Sequence, residues 1–106
     1  MEISFKDQEL ADLYEGKKPK KKEWKSNPQL LKQFVKTVVK LRSVNKVEEL
    51  TQFGGLHYKK LTDEPNGMSA VRINNQYRLH FKEIENDIDP PVVVLFEIEK
   101  LTNHYQ

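Results

Sequence analysis

At residue 56 the hydrophobic period of this sequence changes from that of a helix to that of a strand. Before the switch, Leu30, Leu31, Phe34, Val38 and Leu41 recur at helical spacing, while Lys32, Lys36 and Lys40 lie mostly off that stripe. Asn27 suits the N-cap of this helix, and Pro28 suits its first turn. Upstream, Met1, Ile3 and Phe5 alternate with Glu2, Ser4 and Lys6, which reads as a short strand. Asp7 then caps a helix carrying Leu10, Leu13 and Tyr14, with Gly16 as its stop. The lysine-rich stretch 17–25, broken by Pro19, predicts an exposed loop with Trp24 docked at its end. A further short helix is expected at about 45–52, ended by Gly54-Gly55.

Beyond the switch, period-two patterns predict strands at about 56–61, 68–73, 77–84 and 91–99. Turn signals separate them at Pro65-Asn66-Gly67, Asn74-Asn75-Gln76 and 87–91. The run Val92 to Phe96 is apolar at every position, which predicts a central strand buried on both faces. Helices followed by strands imply an α+β layer. The expected fold is a mostly antiparallel sheet of four or five strands, with two or three N-terminal helices packed on one face.

A length of 106 residues suits one domain spanning 1–106. There is no cysteine, so thiolate metal sites, cysteine nucleophiles and disulfides are excluded. No apolar stretch approaches the roughly 20 residues of a membrane span, and residues 1–10 lack a signal-peptide core. A cytosolic location with no membrane partner is expected. The net charge is only +2, so any contact with nucleic acid must come from local clustering. Arginine is the side chain suited to forked phosphate contacts. Of the three arginines, Arg72 and Arg78 fall within seven residues of each other.

The hairpin that holds this pair has a register legible from its pattern. A two-residue turn would place Val71 opposite Arg78 and mix apolar with polar faces. A three-residue turn, Asn74 to Gln76, pairs Ile73 with Tyr77 and Val71 with Leu79. Since a slip of one residue flips every side chain, the second register should win. It sets Arg72 directly opposite Arg78, and Ala70 opposite His80. Like charges across a sheet are destabilising by up to about 1 kcal/mol. Either an anion such as phosphate sits between the guanidiniums, or Glu97, Glu99 or the C-terminal carboxylate neutralises them.

His57, His80 and His104 all lie in the strand half. Imidazole is the natural proton carrier near neutral pH, but these spacings match no metal motif. Each histidine can equally be an ordinary edge or surface residue. Asn103-His104-Tyr105-Gln106 sets an imidazole and a phenol side by side after the last strand. This tail either frays, as chain ends usually do, or folds back beside the arginines with acid–base groups. Lys59 and Lys60 can add to a phosphate-binding surface, although one of them must point the other way. The lysines at 17–22 form either a solvated loop or a general attraction for RNA. No phosphate-binding glycine loop, nucleophile elbow or paired-carboxylate signature is present, and Asp87 and Asp89 read as an exposed turn.

The segment Gly55-Leu56-His57-Tyr58-Lys59-Lys60-Leu61, then Gly67, Val71-Arg72-Ile73 and Tyr77-Arg78-Leu79-His80-Phe81, resembles the HigB-like killer proteins of the RelE/ParE toxin superfamily. The closing Ile98-Glu99-Lys100-Leu101-Thr102-Asn103-His104-Tyr105 and the opening Ile3-Ser4-Phe5 to Gly16 resemble them too, so the likeness spans nearly the whole chain. The resemblance implies a compact α+β toxin that cleaves mRNA on the ribosome by attack of the ribose 2′-hydroxyl on the adjacent phosphate. No metal or cofactor is needed in that scheme. It implies that Arg78 clamps the scissile phosphate with help from Arg72, and that His104 and Tyr105 act as acid–base or stacking groups. Lys59, Lys60, His57 and His80 form the implied RNA-binding set. The implied partners are mRNA, the ribosome and a cognate antitoxin of helix-turn-helix, HigA-like type. Two positions depart from the family pattern. Thr62-Asp63-Glu64 stands where Lys-Gly-Asp is usual, and the ending reads His then Tyr where other branches have an acid, Tyr and His.

Overall fold

The computed structural model describes residues 1–103, so His104 and Tyr105 lie outside the described residues. The strand β1 spans Glu2–Phe5, and the helices are α1 (Gln8–Tyr14), α2 (Lys22–Lys25) and α3 (Pro28–Ser43). Two 3-10 turns, Val47–Gln52 and Gly54–Leu56, lead into β2 (Lys59–Lys60), β3 (Met68–Arg72), β4 (Arg78–Glu85) and β5 (Val93–Thr102). The sheet has five strands in the order β1-β5-β4-β3-β2. Its β1–β5 pair is parallel and the other three pairs are antiparallel.

The helix boundaries follow from the residues expected to make them. Asp7 accepts a hydrogen bond from the backbone N–H of Leu10 at 3.0 Å, and Asn27 accepts one from Leu30 at 3.2 Å. Gly16 closes the first helix at φ +85, a left-handed conformation that costs glycine little. The lysine stretch is not loop throughout, since Lys22–Lys25 forms one helical turn. That turn seats Trp24 in the core, with the Lys21 ammonium 4.3 Å above the ring.

All the helices serve one face of the sheet. Leu10, Leu30, Phe34, Val38 and Leu41 share one core with Val71, Leu79, Phe81, Phe96 and Ile98. Phe96, Ile98 and Leu101 are all buried, which strict alternation does not permit. A bulge opposite His80/Phe81 resolves the conflict: Ile98 pairs with Phe81, Lys100 pairs with His80, and Glu99 is the extra residue.

Two expectations are corrected. Only Lys59–Lys60 of the segment 56–61 is strand, because Gly54–Leu56 coils and His57 takes φ 47, which breaks extension. Val93 to Phe96 lie in an interior strand, with Val92 just before it, but the run is not buried on both faces. Val92 and Val94 are 50% and 43% exposed. Val92 precedes the strand, and with helices on one face only an apolar residue turned to the other, such as Val94, has nothing to cover it. Among the described residues no helix is long and apolar enough to cross a membrane.

Candidate nucleic-acid interface

The uncovered face is organised in rungs, because residues directly opposite one another project to the same side. On one rung Arg72 pairs with Arg78, which pairs with Thr102 of β5. On the next, Lys59 pairs with Ala70, Ala70 with His80, and His80 with Lys100. The hairpin therefore has the register legible in its pattern, with Ile73 donating to the Tyr77 carbonyl at 3.0 Å across a three-residue turn.

That turn gathers both guanidiniums. Arg78 Nη1 donates to the carbonyls of Asn74 at 2.7 Å and Tyr77 at 3.1 Å, and Arg72 Nη2 donates to Asn75 Oδ1. Asn74 is the keystone: its Oδ1 accepts from the N–H groups of Gln76 and Tyr77 at 2.9 and 2.8 Å. Its Nδ2 donates to Gln33 of α3 at 2.9 Å, which ties the turn to the main helix. Neither glutamate proposed as a neutraliser is turned to the arginines, and the third candidate, the C-terminal carboxylate, lies outside the described residues. Glu99 forms an ion pair with Lys6 at 3.4 Å. Glu97 hydrogen-bonds Glu99, and this raises its pKa above the ordinary carboxylate value. Burial pushes Glu99 up, but hydrogen bonds from Glu97 and Lys6 outweigh it, so Glu99 stays below the usual range.

The second rung opens into a pocket of about 490 Å³ lined by Lys59, Thr62, Met68, His80 and Lys100, among others. His80 lies at its floor, 4% exposed, and its pKa falls below the ordinary value through burial and the nearby Lys100 charge. The imidazole is therefore neutral at neutral pH, with one N–H to donate and one nitrogen to accept.

This depression has a sign that can be measured. As pH falls through the ordinary histidine value of 6.5, the unfolded chain binds a proton at this position before the folded chain does. Stability should thus fall between pH 7.5 and 5.5, until folded His80 is protonated too. The urea midpoint of His80→Gln should fall less over the same interval. An equal loss in both proteins would mean that His80 contributes nothing.

The remaining candidates disperse. Lys60 borders the pocket as well, but its Nζ is engaged on the other side of the sheet, 3.8 Å from Glu83. Buried Glu83 also accepts from Tyr58 and Ser69, so Lys60 belongs to a structural network. His57 is exposed at the end of the Gly54–Leu56 turn and is not among the side chains lining the pocket. Thr62, where the family pattern has lysine, accepts from the Met68 N–H at 2.8 Å and closes its loop. A Cβ at Gly67 would collide with Thr62 Oγ1 and the Glu64 carbonyl, so the two residues are matched. In the lysine stretch, Lys17 pairs with Asp12 and Glu15, and Lys21 with Glu9.

Sequence reasoning missed Lys100 and the positioning work of Asn74 and Asn75. The asparagines were visible only as turn formers. Lys100 was hidden by the bulge that sets its register. Among the described residues no group of three or more His, Asp or Glu side chains is placed to hold a metal.

Fold and face together define a small α+β protein with one covered sheet face and one open face lined by cations. No family model and no curated protein matches the chain. Among solved structures it is similar to the YoeB dimer from Staphylococcus aureus, with 22% identity and a TM-score of 0.49. That alignment covers 99% of this chain and 98% of the other. Function has to be read from the side chains.

Proposed function

We propose that this chain is the toxin of a toxin–antitoxin pair, of the HigB-like branch of the RelE/ParE superfamily, and that it cleaves mRNA on the ribosome. The observation that carries the reading is the Arg72–Arg78 rung, in which two arginines stand directly opposite one another on an open sheet face. Two guanidiniums on one rung can share a single anion through their forked N–H groups. A phosphodiester supplies that anion, and the cations of the next rung extend the attraction along the strand.

In the proposed reaction the ribose 2′-oxygen attacks the adjacent phosphorus while its proton passes to a base. The bond to the 5′-oxygen breaks, and that oxygen receives a proton from an acid. The products are a 2′,3′-cyclic phosphate and a 5′-hydroxyl. Arg78 and Arg72 stabilise the charge that builds on the non-bridging oxygens. His104 and Tyr105 are the proposed acid–base or stacking groups. The proposed regulator is an antitoxin of helix-turn-helix, HigA-like type.

The test is induction of the protein in bacterial cells, with primer extension on a reporter mRNA and chemical analysis of the cut ends. Growth arrest with discrete cuts ending in 2′,3′-cyclic phosphates is the expected result. Arrest with intact mRNA would transfer the chain to the gyrase-inhibiting, ParE-like class. Absence of arrest would mark it as a silent member that binds without cutting.

A further inference from the structure

We infer that the open face holds two successive phosphates of one RNA strand, the first on the Arg72/Arg78 rung and the second between Lys59 and Lys100, and that the Glu97–Glu99 pair ends the track there. The inference rests on the reading of this face as an RNA site and adds its length and direction: a trinucleotide lying along the β-strands.

Spacing is the first support. Residues two apart on a strand share a face and lie about 7 Å apart, a separation comparable to that of neighbouring phosphates in an extended single strand. Arg72 and Ala70 are two apart on β3, as are Arg78 and His80 on β4. A strand of RNA parallel to β4 thus meets one cationic rung per phosphate.

The second rung has the shape of a receptor. Lys59 and Lys100 stand on opposite walls of one pocket, on β2 and β5. Three strand spacings separate their backbones, roughly 14 Å, a span that two extended lysine side chains can close from either side. His80 sits on the floor between them, where its N–H can complete the cradle. Because burial and Lys100 keep that imidazole neutral, it adds a hydrogen bond without a third charge.

The third rung is built differently. Met68 pairs with Lys82, Lys82 with Glu97, and Glu97 with Ser4 of β1. Here each lysine has a carboxylate: Lys82 faces Glu97, and Lys6 pairs with Glu99. Glu99 is 7% exposed, and its Oε2 is buried without a hydrogen-bond donor, as is Ser4 Oγ. A third phosphate would find no uncommitted lysine and would face a partly buried carboxylate. At the other end, the Asn74–Gln76 turn finishes the hairpin beyond the arginines.

The test uses non-cleavable 2′-deoxy oligonucleotides of two, three and four residues, carrying one, two and three phosphates. Their dissociation constants are measured at fixed salt. The trinucleotide should bind about tenfold tighter than the dinucleotide, as one charge-assisted phosphate contact gives. The fourth residue should add about twofold or less, while Glu97→Lys should raise the tetranucleotide's gain to about tenfold. Lys100→Ala and Lys59→Ala, both at exposed side chains, should each weaken the trinucleotide and leave the dinucleotide unchanged. Affinity rising evenly from two to four residues, equal loss of both ligands in Lys100→Ala, or no binding at all would each overturn the track. The mRNA-cutting assay is read separately: this binding pattern without cuts sinks the ribonuclease reading and leaves the track standing.

Discussion

Replacing Arg78 by alanine should lower mRNA cleavage by about 10²–10³-fold, the usual effect of removing one preorganised donor to a developing oxyanion. The chain should stay folded. Arg78 donates to the carbonyls of Asn74 and Tyr77, and each such bond is worth about 1 kcal/mol or somewhat more. Removing a guanidinium directly opposite Arg72 returns up to about 1 kcal/mol by relieving like-charge repulsion. The balance is a net cost of about 1–2 kcal/mol, so the urea midpoint should fall modestly while activity collapses. Lysine at the same position restores charge without the fork, and should recover only part of the rate. Arg72→Ala should act in the same direction, and the double variant should cost less than the product of the single effects, as expected of two groups acting on one phosphate. The comparison is made on single-turnover cleavage and urea midpoints of the same preparations. Loss of activity in step with loss of stability would mean that the arginines hold the turn rather than the substrate.

How much of this was legible in advance depends on how local the information is. The Arg72–Arg78 rung could be read from Val71, Ile73, Tyr77, Leu79 and Phe81, because a short turn ties the register to a pattern within about 15 residues. The caps Asp7 and Asn27 and the stop Gly16 were legible for the same reason. Lys100 was not, because its place across from His80 depends on the bulge at Glu99. That bulge reconciles Phe96, Ile98 and Leu101 with one core, and nothing in the segment's own alternation fixes where the extra residue falls. The segment 56–61 failed through a backbone detail, the left-handed His57, which period-two counting cannot detect. The exposed Val92 and Val94 failed at the tertiary level. An apolar run shows that a strand is suited to the sheet interior, not how many faces the helices will cover. The engagement of Glu99 by Lys6 joins residues from opposite ends of the chain and has no sequence signal at all.

The largest expected loss of stability lies directly behind the open face. Phe81 follows His80 on β4 and projects to the opposite side, where it is fully buried. Its ring centroid lies 4.8 Å from that of Phe96 and 6.4 Å from that of Tyr58, in tilted arrangements that favour aromatic pairs. Phe81→Ala should cost about 3–5 kcal/mol, from lost transfer energy plus a cavity that the sheet cannot close. A domain of this size is stable by only about 5–15 kcal/mol, so this one ring accounts for a large share of the whole. The melting temperature should drop by about 12–40 °C, at roughly 4–8 °C per kcal/mol. Phe81→Leu keeps the site apolar and most of its volume filled, and should cost markedly less. Both can be measured by urea titration, with tyrosine and tryptophan fluorescence reporting on Tyr58 and Trp24. Cleavage by the alanine variant should fall only as far as its folded fraction falls, and cooling should recover it. The Arg78 variant should gain nothing from cooling beyond the ordinary temperature dependence of the reaction. If the folded fraction of Phe81→Ala were instead inactive, the aromatic stack would be setting the geometry of the rung above it as well as holding the sheet together.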